Sequence, residues 1–66
     1  MSAYYVVPDS SGYGDWAIKK NGMKVQNAQT QATAVNTVRN QVGNKGDEVY
    51  VYGSRKNQIV NQFTIT

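Results

Sequence analysis

The chain has 66 residues, with five tyrosines, one tryptophan, no cysteine, no histidine and a formal net charge of +3. Without cysteine there is no disulfide and no thiolate metal site, and without histidine the commonest general base and imidazole ligand are both gone. A basic balance this small is compatible with an anionic partner and demands none.

One domain over residues 1–66 is expected. A chain of this length buries only about 60 % of its unfolded surface. Small domains without staples often recover stability by oligomerising. The N-terminus lacks a basic-then-apolar pattern and no apolar run approaches membrane-spanning length, so the expectation is a cytoplasmic protein with no membrane contact. Asparagine and glutamine replace charge on much of the surface, but they are scattered among apolar positions and form no tract.

Taken in order, Ala3 to Val7 (AYYVV) is a β-type run that Pro8 should stop. Asp9 to Gly14 (DSSGYG) is turn chemistry and reads as a hairpin loop. Asp15 to Lys20 follows as a second strand, with Trp16 and Ile18 on one face and Ala17 and Lys19 on the other. Asn21-Gly22 is the strongest hairpin dipeptide in the chain, leading to a short third strand at Met23-Lys24-Val25. Gln26 to Gln29 would then cross to a helix.

That helix is TQATAVNTVRNQVG, Thr30 to Gly43. Ala34, Val35, Val38 and Val42 share an arc roughly 100° wide, the stripe of a helix lying on a core. Thr33, Asn36, Thr37 and Asn40 fall on the opposite side. Thr30 can cap the first turn, and Gly43 can end the helix in the left-handed conformation. With three valines and two threonines the segment has poor propensity, so packing on a sheet must stabilise it.

After the turn NKGD, Glu48 to Tyr52 (EVYVY) alternates strictly, placing Val49 and Val51 opposite Tyr50 and Tyr52. GSRKN turns the chain into a last strand, Gln58 to Ile65. The fold class is α+β: a small antiparallel sheet with one helix on one face, in the order β-β-(β)-α-β-β. Trp16, Ile18, Val49 and Val51 should meet the helix. The other face should then show Tyr50, Tyr52, one of Tyr4 and Tyr5, and Lys19, a tyrosine-rich surface with nothing to cover it.

Three stretches together have a familiar order: Trp16–Ile18 (WAI), Thr30–Val35 (TQATAV) and Val49–Gly53 (VYVYG) followed by a turn and Ile59. They resemble a family of short bacterial proteins catalogued as domain of unknown function 2188, over about residues 4–63. The resemblance implies one helix on an antiparallel sheet. It implies no activity, since the family has none assigned. Thr33 stands where the family has a helix-start glutamate, Tyr52 where it has a histidine, and Lys56-Asn57 where it has an Asp-Gly turn. The first departure weakens a capping box, and the second removes whatever the histidine does.

No catalytic, cofactor or metal site is expected. Asp47 and Glu48 are adjacent, so on a strand they point to opposite faces and cannot share a proton. Ser10 and Ser11 have no histidine to activate them. Asp9, Ser11 and Asp15 offer too few oxygens for calcium. No small-molecule substrate is indicated.

Two partner readings remain. Lys19, Tyr50, Tyr52, Arg55 and Lys56 form the candidate interaction surface. Tyrosine buries area while keeping a hydroxyl for hydrogen bonding, and the last strand lacks the proline and charge that protect edges. A homodimer through the tyrosine face or that edge is favoured. The alternative is single-stranded nucleic acid, with bases stacked on Tyr50 and Tyr52 and phosphates met by the basic hairpin tips; the low charge disfavours it.

Overall fold

The computed structural model describes residues 2–12, 14–53 and 58–66, with side chains described for all of these except 10–12 and 14. Its elements are β1 (Ala3–Gly12), β2 (Gly14–Lys20), β3 (Met23–Ala28), α1 (Gln31–Thr37) running on into a π-helical turn (Val38–Val42), β4 (Glu48–Tyr52) and β5 (Ile59–Thr64). They form one five-stranded sheet, in the order β3-β2-β1-β4-β5, with the helix on one face.

The α+β class is as expected, but the sheet is not wholly antiparallel. The β1–β2, β2–β3 and β4–β5 pairs are antiparallel, whereas β1 and β4 run parallel in the register Tyr4↔Val49, Tyr5↔Tyr50, Val6↔Val51. The reason is the connection. A parallel neighbour needs a crossover of a dozen or more residues, and the helix is the one segment that supplies it. It carries the chain from the β3 edge back across β2 and β1.

Two boundaries also differ from the sequence expectation. Pro8 does not stop β1, because the β4 ladder ends at Val6↔Val51. Beyond that point β1 has a neighbour on one side only, where a missing N–H donor is tolerated. The hairpin therefore extends through the predicted loop, reaching the pair Gly12↔Gly14 after a register shift. The third strand likewise runs on to Ala28, which pairs with Trp16. Between β2 and β3, Asn21 (φ 54°) and Gly22 (φ 78°) are both left-handed, the twin requirement of a type I′ turn.

The core lies between the helix and the expected sheet face. Tyr4, Val6, Ile18, Val49 and Val51 from the sheet meet Ala34 and Val38 from the helix, with Trp16, Val35, Val42 and Phe63 half-buried around them. Tyr4 is the largest fully buried side chain, and its hydroxyl donates to the Val42 carbonyl at 3.2 Å. Arg39 covers Phe63 from outside, its guanidinium carbon 4.6 Å from the ring centre.

Thr30 caps the helix. Its Oγ1 accepts from the Thr33 N–H at 3.1 Å and donates to Thr33 Oγ1 at 2.9 Å. Thr33 thus closes the first turn in a way of its own, although no glutamate is present. Thr37, assigned to the outer face, is buried instead; its hydroxyl donates to the Thr33 carbonyl at 2.8 Å, so burial leaves no group unpaired.

Gly43 is not left-handed. Its φ is −84° and its N–H donates to the Val38 carbonyl at 2.7 Å, closing a π-type turn. Glycine is required there by space: a β-carbon would lie 2.5 Å from Ile65 Cδ1 and 2.9 Å from the Val38 carbonyl oxygen.

Candidate functional site

The sheet face away from the helix is built by period-two alternation. Residues that pair across the strands line up as one row, Lys24, Lys19, Tyr5, Tyr50 and Gln62, spanning all five strands. Of the predicted surface, Lys19, Tyr50 and Tyr52 do share this face, and the third tyrosine is Tyr5, since Tyr4 points into the core. Arg55 and Lys56 lie outside the described residues, as does the turn GSRKN that would place them.

Tyr5 and Tyr50 stack, with ring centres 5.2 Å apart and planes 18° from parallel. Tyr52 is tilted to Tyr5 by 52° at 6.4 Å. The Tyr50 hydroxyl donates to Glu48 Oε2, two residues back on the same strand face. That hydrogen bond, then burial and the negative charge of Glu48, pushes the Tyr50 phenol above its ordinary value of 10.0.

Beside this stack lies a concavity of about 580 Å³, bounded by Tyr5, Tyr52, Val7 and Pro8 and rimmed by Lys19 and Lys24. Lys24 Nζ forms an ion pair with Asp9 Oδ2 at 2.8 Å. Lys19, half-buried, has no such partner among the described residues. Lys24 lies within the expected third strand, but its partner Asp9 is missed because the sequence reading stops β1 at Pro8. Continuing the alternation Tyr5, Val7, Asp9 would have put Asp9 on this face.

Away from the face, Asp47 is a buried carboxylate used for structure. Its Oδ1 accepts from the Ser2 N–H at 2.8 Å and its Oδ2 from the Asn44 N–H at 2.9 Å. Those two bonds hold it below the ordinary value of 3.8. The same residue's carbonyl accepts from the Ile65 N–H at 2.9 Å, so Asp47 fastens the start of β1, the loop after the helix and the end of the chain together.

The two edges of the sheet differ. Both have a register shift, on β3 opposite Ile18 and Lys19 and on β5 opposite Val51 and Tyr52, but β3 carries Lys24 as its second residue, beside the exposed Met23 and Val25. On β5 there is no charged residue and no proline, and Ile59 and Val60 are 48 % and 56 % exposed. The β5 backbone carries one local closure, the Gln62 N–H donating to Asn61 Oδ1 at 2.9 Å.

Among the described residues no helix is long and apolar enough to cross a membrane. Residues 4–64 match the model of the family called domain of unknown function 2188, described as an uncharacterized protein conserved in bacteria. No curated protein and no solved structure matches the chain.

Proposed function

The chain belongs to the domain of unknown function 2188 family of bacterial proteins, and we propose that it is a non-enzymatic assembly module of the cytoplasm that forms a two-fold dimer through β5. The contrast between the edges carries this reading. Both edges carry a register shift and exposed apolar side chains, so the contrast is one of charge: β3 has Lys24, a device that discourages strand pairing, while β5 presents Ile59 and Val60 with no charge at all. Two copies of an uncharged strand can lie antiparallel without opposing like charges, and a two-fold pairing closes on itself. The sheet would then run through ten strands, with both tyrosine faces on it. The partner strand must displace the Asn61–Gln62 closure, exchanging a local bond for a ladder bond of the same kind.

Single-stranded nucleic acid on the tyrosine face is the weaker alternative. Tyr5 and Tyr50 already stack on each other, Lys24 is neutralised by Asp9, and Glu48 places a carboxylate beside Tyr50. A non-enzymatic role is supported by the acids that the structure commits elsewhere: Asp47 to backbone N–H groups, Asp9 to an ion pair and Glu48 to a tyrosine.

Light scattering on the full chain tests the proposal. The expected mass is twice 7.3 kDa. The double variant Ile59→Lys/Val60→Lys should run as a folded monomer with an unchanged circular-dichroism spectrum. A wild-type chain that stays monomeric at millimolar concentration would overturn the reading. So would a dimer indifferent to the double variant.

A further inference from the structure

We infer that the concavity beside the tyrosine stack is a binding site for a planar aromatic ring carrying an anionic group. Its volume of about 580 Å³ is that of a small-molecule pocket. The shape of its walls argues for a ring. Tyr5 gives one face to Tyr50 and meets Tyr52 at a tilt of 52°, so the two rings make an angled aromatic wall that continues onto Val7 and Pro8. Such a wall suits a flat apolar body, which gains area and edge-to-face contacts against it.

The charge argues for an anion. Among the described residues, two ammonium groups and one carboxylate border the concavity; Lys24 and Asp9 pair at 2.8 Å, and the remainder is the Lys19 ammonium. Lys19 sits next to Tyr5 in the strand register and has no counter-ion among the described residues. A half-buried cation beside apolar walls is poorly solvated, so an anion that reaches it gains a charge-assisted hydrogen bond. A single net positive charge matches one anionic group and falls short of a polyanion. The rim at Gly22 is open: a β-carbon there would meet nothing within 4 Å.

This site does not depend on the β5 pairing, and the two are tested separately. Naphthoate and adenosine monophosphate are titrated into the full chain, following backbone amide shifts of Tyr5, Val7, Lys19 and Tyr52 by nuclear magnetic resonance. Neutral naphthamide and the non-aromatic cyclohexanecarboxylate serve as controls. Both anionic rings should move those amides, and each control should bind about tenfold more weakly, the loss of one charge-assisted or one stacking contact. Preference for naphthoate assigns the aryl-acid source; preference for the nucleotide assigns the other. In Lys19→Met, naphthoate should fall to the affinity of naphthamide, and in Tyr52→Leu the advantage over cyclohexanecarboxylate should vanish, with both variants melting like the wild type. The same shifts in Ile59→Lys/Val60→Lys would separate this site from the dimer. Equal binding of all four probes, an unaffected Lys19→Met variant, or no shift at the lining amides would overturn the assignment.

Discussion

Lys24 Nζ reaches Asp9 Oδ2 at 2.8 Å, although the two residues stand on β3 and β1 with β2 between them. The register places Ala17 on the diagonal that joins them: Lys19 pairs with Lys24, and Ala17 lies one step along, opposite Val7 and Asn27. Ala17 is fully buried although it belongs to the face without the helix. A methyl group leaves room for the long lysine stem on that diagonal, and full burial of Ala17 is what an ion pair lying over it would produce.

The ion pair and the alanine should therefore be coupled. With side chains 35 % and 15 % exposed, the pair is partly screened, and a double-mutant cycle of Lys24→Met and Asp9→Asn should give about 1 kcal/mol, the upper end for such contacts. In an Ala17→Leu background the larger side chain lifts Lys24 away, and the coupling should fall to nearly zero. A coupling that survives Ala17→Leu would show that the pair does not lie over that residue.

Asp47 should set the acid limit of the fold. Its carboxyl is held below 3.8 by the Ser2 and Asn44 N–H groups, so the native state binds that proton less readily than the unfolded chain. The stabilisation is fully present above 3.8 and is lost as pH falls through the depressed native value. Urea midpoints measured from neutral pH downward should therefore drop below pH 4 in the wild type. Asp47→Asn should be less stable at neutral pH and flatter in acid. Parallel curves for the two proteins would remove Asp47 from this role.

Gly43→Ala should cost about 1–3 kcal/mol through crowding, since the φ of −84° is open to any residue. The backbone carbonyl of Val38, 2.9 Å from the added carbon, cannot swing aside as a side chain can. Pairing the change with Ile65→Ala relieves one of the two clashes, so thermal melts of the pair should show less than the sum of the single losses. Strict additivity would contradict the close approach.

Much of the fold was legible because it rests on local periodicity. The alternation in EVYVY and in Trp16–Lys19 separated the helix-facing side from the tyrosine side, and the stripe Ala34, Val35, Val38 and Val42 placed the helix. Thr30 and Asn21-Gly22 marked a cap and a turn through side-chain and backbone chemistry confined to a few residues. Pro8 misled because its meaning depends on whether a neighbouring strand needs its N–H, and that is settled by where β4 ends. Thr37 misled because a hydroxyl can satisfy itself on its own helix and then be buried.

The elements, the two faces of the sheet and the lack of cysteine and histidine chemistry all follow from side-chain identity and spacing along the chain. The order of the strands, the parallel β1–β4 pair, the space that reserves Gly43 and the meeting of Lys24 with Asp9 come from the packed fold. Those are contacts between residues distant in sequence, and their partners are chosen by how the crossover lays one strand beside another. Periodicity assigns a side chain to a face; packing alone decides what stands next to it.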